Sequence, residues 1–178
     1  MTSNFPRVMS VNCIQGKYPK ILLDLWDKYH EERVSQNDRP DIYPGKQFYI
    51  AMEFEYAGED LESFFLESAC QGLSLLAQVS GTLAVAESVL QYEHRDLHLG
   101  NILVAPIDND SVELILEGNL IPIPSHGIKA TVIDFGLARM SLPGGKILYV
   151  DFNSDPALFE GKGDLQFDIY RLMKEQTK

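Results

Sequence analysis

Residues 94–101 read HRDLHLGN and are followed directly by the apolar triplet ILV at 102–104. Further along the chain, residues 134–136 read DFG and follow the strand-like run ATVI at 130–133. Either motif alone is weak evidence. The two together, in this order and each beside an apolar strand, predict one functional site.

The residue types in these motifs suit phosphoryl transfer. Asp96 can orient and deprotonate an attacking hydroxyl, while Asn101 binds a hard cation through its amide oxygen. Asp134 supplies a second hard oxygen ligand, and Gly136 lets the backbone turn so that this carboxylate faces the same cavity. Positioning, charge neutralisation by magnesium and a group that orients the nucleophile are nearly all that this reaction needs.

Both motifs resemble those of the protein kinases, whose catalytic loop H-R-D-L-x-x-x-N and metal-binding D-F-G are present in full and in order. The resemblance implies ATP and magnesium as cofactors, with Asn101 and Asp134 as the metal ligands. It implies a catalytic set made of Asp96, the base, together with Arg95, His98, Asn101 and Asp134.

Three further stretches are similar to the haspin family of serine/threonine kinases: NDRPD at 37–41, QFYIAMEFEYAGEDL at 47–61 and GKGDLQFDIYRLMK at 161–174. The similarity runs from about Val11 onward. It implies transfer of the ATP γ-phosphoryl group to a threonine of a basic histone tail. It also implies a mitotic, chromatin-associated nuclear protein that can occur in the cytoplasm as well.

The family resemblance also implies a nucleotide site around a hinge at 55–60. Phe54 is expected at the back of the adenine pocket, with the backbone of Glu55 and Ala57 bonded to adenine. Asp60 is expected near the ribose and Leu103 beneath the base. The full set is Phe54, Glu55, Tyr56, Ala57, Gly58, Glu59, Asp60, Gly100, Asn101, Leu103, Ile133, Asp134, Phe135 and Gly136.

Two more residues carry expectations from the resemblance. His98 occupies a place near the substrate hydroxyl where many relatives carry lysine, and either substrate contact or a packing role is open to it. Asp168 resembles the kinase aspartate that braces the catalytic loop from the central helix of the large lobe.

The apolar periodicity predicts an α+β fold in which helices dominate. Predicted helices cover about 19–32, a long buried segment that runs toward Tyr92, and 163–174; residues 35–46 form a loop. Predicted strands are 48–54, 102–104, 111–117, 120–123 and 128–133, with Gly118-Asn119 as a hairpin turn. The resemblance makes this a kinase-like fold with a mainly helical large lobe and short β-hairpins.

Parts of the kinase pattern are missing from the sequence. No G-x-G-x-x-G loop and no strand lysine of the V-A-I-K kind precede the hinge. Residues 1–178 are therefore interpreted as a hinge plus a large lobe, with the small lobe largely absent. Besides the kinase, a catalytically inactive large-lobe or pseudokinase binding module stays open, and a small-molecule kinase is less favoured.

The amino-acid composition limits the kinds of partner that the chain is expected to bind. The chain has 15 basic and 26 acidic side chains, a net charge of −11 and an isoelectric point near 4.7. Such a chain repels nucleic acid and anionic membranes, and the polar residues Gln78, Ser80 and Glu87 argue against a membrane span at 73–90. The charge favours a basic peptide as partner, and the kinase resemblance implies a monomer that also binds ATP. The acidic group that would attract the peptide, Glu53, Glu55, Glu59, Asp60, Glu62 and Glu67, can also be a solvated face.

Two alternatives concern the motif itself. His94, Asp96 and His98 alternate as zinc ligands can, although the kinase interpretation explains more of the surrounding residues. Arg95 could pair with a phosphate on Ser141, Tyr149 or Ser154, but none has a recognisable context, and the family resemblance implies activation without phosphorylation.

Overall fold

Residues 1–35, 37–163 and 165–176 are described by a computed structural model, in which they form three α-helices and nine β-strands. The helices are α1 (Lys20–Arg33), α2 (Ala69–Leu90) and α3 (Leu165–Gln176). The strands are β1 (Val8–Gly16), β2 (Gln47–Phe54), β3 (Glu59–Asp60), β4 (Ile102–Pro106), β5 (Ser111–Leu116), β6 (Asn119–Pro124), β7 (Ile128–Val132), β8 (Met140–Ser141) and β9 (Ile147–Leu148).

The predicted mixture of helices and strands is confirmed, but helices do not dominate the described residues. The strands that the sequence analysis did not predict are the nine-residue β1 and the two-residue strands β3, β8 and β9. Residues 36 and 164, which fall in the predicted loop 35–46 and in the predicted final helix, lie outside the described part of the chain, as do 177 and 178.

The chain divides into two compact units. The smaller unit, residues 7–55, contains α1 and the antiparallel pair β1–β2, in which Cys13 lies opposite Ile50. Arg39 bonds Asp27 at 2.7 Å and Asp41 at 2.6 Å, which ties the NDRPD stretch to α1. The hydrogen bond from Arg39 lowers the pKa of Asp27 below its ordinary value.

The larger unit, residues 1–6 and 56–178, is built on an antiparallel sheet of order β3-β4-β7. The register places Ile102 opposite Val132 and Val104 opposite Ala130. Side chains alternate across a strand, so these four residues face the same buried cluster, which Val79 of α2 completes. The sheet thus leads one strand out of the HRDLHLGN loop and another into the DFG motif.

The hairpin β5–β6 packs on α2 through Leu114, Ile123 and Val85. Leu116 pairs with Asn119, so the turn consists of Glu117 and Gly118, with φ of 50° and 83°. The predicted turn at Gly118-Asn119 was wrong by one residue. Two successive positive φ values are typical of a type I′ turn, which matches the twist of the strands.

Hydrogen-bonding groups on the outer edge of β7 are paired with a buried polar side chain of α2. Gln78 is fully buried; its Oε1 accepts hydrogen bonds from Ala130 N (2.8 Å) and Asn4 Nδ2 (3.0 Å). Its Nε2 donates to Ile128 O and to Ser74 Oγ, both at 3.0 Å. All four hydrogen-bonding positions of the amide are used, so the edge of the sheet is closed without a further strand.

α2 is long and apolar enough to cross a membrane by length and composition alone. The argument from Gln78, Ser80 and Glu87 against a span was therefore too strong. The contacts of the helix place it differently: it packs on β7 and on the β5–β6 hairpin and contributes Val79, Val85 and Ala86 to the core.

Replacing Gln78 with leucine tests the role of this amide. Gln78→Leu leaves Ala130 N, Ile128 O and the Asn4 amide without their partner in the core, so the free energy of unfolding should fall by about 3 kcal/mol. Urea unfolding measures the loss. Ser80→Leu, at an exposed position of the same helix, is the control and should stay within about 0.5 kcal/mol; equal effects of the two variants would contradict the assignment.

Candidate functional site

The loop at 94–101 is anchored by His94 after α2 ends. His94 is 5% exposed, and its Nε2 donates to the carbonyl of Ile133 at 2.9 Å. The next residue, Arg95, has a φ of 68°, a backbone conformation that residues other than glycine rarely adopt. The anchored histidine and this turn together fix the direction in which Asp96 leaves the backbone.

Asn101 links the loop to the end of β7. It is buried, and its Nδ2 donates to the carbonyl of Asp96 at 2.9 Å. Its own carbonyl accepts from Ile133 N at 3.0 Å. Because the amide nitrogen is used within the loop, the amide oxygen Oδ1 is the atom that is left for a cation.

Asp134 follows directly, in a left-handed conformation with a φ of 61°. Its Oδ1 accepts from Gly136 N at 3.0 Å, as expected for a tight turn. Phe135 packs edge-on to Phe5 at 5.8 Å between ring centroids and lies 6.3 Å from His94. Asn101 thus connects the backbone at Asp96 with the residue that precedes Asp134, and the catalytic and metal-binding roles of the three side chains stay predictions.

His98 faces a cavity of about 670 Å³ that also contains Asp96 and Glu62. Its Nδ1 accepts from Gly100 N at 3.2 Å. In the neutral ring the proton then sits on Nε2, which becomes a donor. The apolar lining of the cavity includes Ile102 and Ile169. Open space thus lies beside the carboxylate of Asp96 and the imidazole of His98.

The zinc interpretation of His94, Asp96 and His98 is not supported. Within residues 1–35, 37–163 and 165–176 no group of three or more His, Cys, Asp or Glu side chains could hold a metal ion. A ring nitrogen of each histidine is also engaged by the protein, His94 by Ile133 and His98 by Gly100.

Helix α3 contributes two residues that the sequence reasoning missed. Tyr170 is 2% exposed, and its hydroxyl donates to Asp96 Oδ1. Gln166, one turn earlier, donates to the same oxygen at 2.5 Å. Burial, together with the bond to Asp96, raises the pKa of Tyr170 to about 12, so the phenol is a protonated donor at neutral pH.

The expectation for Asp168 was wrong. Its carboxylate is largely exposed and pairs with Arg171 at 2.5 Å on the same helix. Among the described residues of α3, Gln166 and Tyr170 contact Asp96 of the loop at 94–101 instead. Their spacing of four residues places both on one face of the helix. A pair of polar residues on the helix face that points toward the core was the one sequence signal that could have indicated this role.

Arg95 is held by the segment that follows Asp134. Its Nη1 donates to Val150 O at 3.1 Å, and its guanidinium carbon lies 3.9 Å from the centre of the Phe152 ring. Arg139 donates to Gln91 O at 3.1 Å. Both cations line a second cavity of about 610 Å³.

The residues predicted to bind adenine are divided between the two units: Phe54 and Glu55 belong to the smaller, and 56–60 to the larger. Their nucleotide contacts stay a prediction. Glu59 and Asp60 form β3, opposite Val104 and Leu103, where the sequence indicated only a connector. Asp60 Oδ1 accepts from Ser63 N at 2.9 Å.

Gly58 is required by the close approach of this segment to β4. It has a φ of 101°, and a Cβ at this position would lie 1.9 Å from the carbonyl oxygen of Val104. No L side chain fits without moving the backbone. The conformation of the predicted hinge therefore depends on this residue.

Comparison with known proteins gives a consistent result. A family model described as "Haspin like kinase domain" matches residues 3–178. The serine/threonine-protein kinase haspin of Mus musculus is 41% identical over 179 residues, which covers 99% of this chain and 24% of that protein. The haspin homolog of Arabidopsis thaliana is 43% identical over 173 residues (97% of this chain, 28% of the relative), and that of Drosophila melanogaster 33% over 177 (99% and 31%).

The loop geometry and these matches place the chain among the protein kinases, a class that uses ATP, a divalent metal ion and a protein substrate. More narrowly, it belongs to the haspin family of serine/threonine protein kinases. The chain spans about a quarter to a third of the length of these relatives.

A glycine pair tests the geometry of the hinge segment. Gly58→Ala should lower the free energy of unfolding by about 3 kcal/mol, because it adds both a clash and a strained φ. Gly72→Ala in α2 meets no atom within 4 Å and should be neutral or stabilising by about 0.5 kcal/mol. Thermal or urea unfolding measures both; an unchanged Gly58→Ala variant would refute the close approach.

Proposed function

We propose that residues 1–178 form the hinge and large lobe of a haspin-type kinase domain, which transfers the γ-phosphoryl group of ATP to a threonine in a basic histone tail. The observation that carries this proposal is that Asn101 bonds the carbonyl of Asp96 at 2.9 Å and the amide of Ile133, the residue before Asp134, at 3.0 Å. A carboxylate, an amide oxygen and a second carboxylate thereby lie on segments that Asn101 joins.

The proposed chemistry assigns one task to each side chain. Asp96 accepts the proton of the threonine hydroxyl as its oxygen attacks the γ-phosphorus, and ADP leaves. His98 donates from Nε2 toward the peptide or the acceptor oxygen. Arg95 does not take part in the chemistry directly; it holds the segment after Asp134 through Val150 and Phe152.

The donor set suits magnesium. Asn101 and Asp134 would hold the ion, which would offset the negative charge of the nucleotide phosphates. The amide nitrogen of Asn101 and Oδ1 of Asp134 are engaged by the backbone, so Asn101 offers its amide oxygen and Asp134 its second carboxylate oxygen. A small set of oxygen ligands is what Mg²⁺ takes when phosphates and water complete its shell.

Charge supports a basic peptide as the substrate. Glu62 lies in the cavity beside Asp96 and His98, and the chain as a whole carries a charge of −11. A positive peptide is steered toward such a cavity, whereas nucleic acid and anionic membrane are repelled. We place the protein, as a monomer, in the nucleus on chromatin, with a cytoplasmic pool.

Activation without phosphorylation is part of the proposal. In phosphorylation-dependent kinases an arginine such as Arg95 pairs with a phosphate. Here the carbonyl of Val150 and the ring of Phe152 take that place. The segment is held by uncharged groups, so none of Ser141, Tyr149 or Ser154 needs modification.

The alternative is a catalytically inactive binding module, and one observation favours it: the sequence contains neither the glycine-rich loop nor the strand lysine before the hinge. These groups hold the nucleotide phosphates in other kinases. We therefore expect weak ATP binding and slow turnover by residues 1–178 alone.

Transfer of labelled γ-phosphate from ATP to a histone-tail peptide decides between the two functions. The chain is first shown by mass spectrometry to carry no phosphate. We expect slow transfer that Asp134→Ala abolishes, because the variant loses a metal ligand. Label that persists in Asp134→Ala, or transfer that begins only after the chain is phosphorylated, would contradict the proposal; no transfer at all favours the module.

Capture of the peptide should weaken with salt. Raising NaCl from 50 to 500 mM should increase the Kd of a fluorescent histone-tail peptide by about tenfold, because exposed charges are screened. Anisotropy measures the Kd. Glu62→Gln should weaken binding at low salt, whereas Glu113→Gln on the β5–β6 hairpin should not. A Kd that is independent of salt would leave the acidic group as a solvated face.

A further inference from the structure

The carboxylate of Asp96 is contacted from α3 by two donors that the kinase motifs do not contain. Tyr170 donates its hydroxyl proton to Asp96 Oδ1. Gln166 donates to the same oxygen at 2.5 Å and to the Tyr170 hydroxyl at 2.8 Å. The three side chains form a closed hydrogen-bonded triangle.

Both donors converge on one oxygen of the carboxylate. Each carboxylate oxygen offers two lone-pair sites, and Tyr170 and Gln166 occupy both sites of Oδ1, so under the proposed function Oδ2 would accept the proton of the hydroxyl. A side chain held at one oxygen loses its rotation about χ2, which is the freedom a base must give up before it can act.

We propose that Tyr170, supported by Gln166, is a positioning residue that fixes the orientation of the Asp96 carboxylate. This inference rests on the proposed function, since it assigns a role relative to the base of that reaction. The role assigned to Tyr170 is exerted through Asp96, to which its hydroxyl donates.

The surroundings of Tyr170 make it rigid enough for the task. It is 2% exposed, and its ring packs edge-on to Phe152 at 5.7 Å and to Phe167 at 6.4 Å. Most buried tyrosine hydroxyls are hydrogen-bonded, and the hydroxyl of Tyr170 is bonded to Asp96 and Gln166. The aromatic packing therefore sets where the hydroxyl lies, and the hydroxyl sets where the carboxylate lies.

Phe152 connects this arrangement to the segment after the DFG motif. The same ring that packs on Tyr170 lies under the guanidinium of Arg95, 3.9 Å from its centre. Movement of Phe152 would release the arginine and loosen the tyrosine together. The order of the segment and the orientation of the base are thus coupled through one side chain.

Tyr170→Phe tests the proposal because it removes only the hydroxyl. We expect kcat for transfer to the peptide to fall about tenfold, with the KM for ATP unchanged. In an Asp96→Ala background the same substitution should have no further effect on the residual rate. Tyr92→Phe is the matched control: Tyr92 is also a buried tyrosine, and its hydroxyl has no partner in the described part of the chain, so kcat should stay the same.

An activity-independent readout separates this inference from the proposed function. Urea unfolding of Tyr170→Phe, Asp96→Ala and the double variant should give a combined loss smaller than the sum of the single losses, because both substitutions remove the same hydrogen bond. Additive losses would overturn the contact even in a chain that transfers no label. An unchanged or raised kcat in Tyr170→Phe, or an equal fall in Tyr92→Phe, would overturn the positioning role.

Discussion

The hydrogen bonds of Gln78 close the outer edge of β7, and the position of the whole site depends on that edge. An amide buried without partners would destabilise the core, whereas here every donor and acceptor of the side chain is used. The strand is therefore fixed on one side by β4 and on the other by α2 and the segment around Asn4. A strand held on both edges can end at a defined point, and Asp134 comes two residues after that end.

The fixed sheet supports backbone conformations that a flexible loop would not keep. Arg95 and Asp134 both have positive φ values, each of which costs on the order of 1 kcal/mol or more. The bonds from His94 and Asn101 to the β7 end hold these turns in place. Strain at the two functional aspartate turns is thus balanced by ordinary sheet and core contacts a few residues away. The same sheet and core contacts therefore determine both the stability of the fold and the geometry of the site.

Local pattern was enough to predict the elements that build the site. The three- and four-residue steps of α2 and the apolar runs of β4 and β7 are strong signals, and HRDLHLGN and DFG lie where the sequence indicated, before β4 and after β7. β1 was missed although Met9, Val11 and Cys13 alternate with polar residues, because a short alternation competes poorly with longer motifs. The roles of Gln78 and Tyr170 could not be predicted, since both depend on contacts with residues far away in the chain. The role of Asp168 was transferred from a resemblance of one helix, and a difference of a few residues along a helix changes which side chain faces the loop.

The aromatic group around Phe152 explains how an acidic site can stay ordered without a phosphate. A phosphate would bring charge-assisted bonds to Arg95, but it would also place further negative charge near Asp96 and Asp134, in a chain that already carries −11. A ring and a carbonyl satisfy the guanidinium without that repulsion. The same ring packs on Tyr170, so the side chain that contacts Arg95 also contacts the residue that bonds Asp96. Under the proposed function, uncharged contacts of this kind would order the segment without altering the electrostatic field that a basic substrate meets.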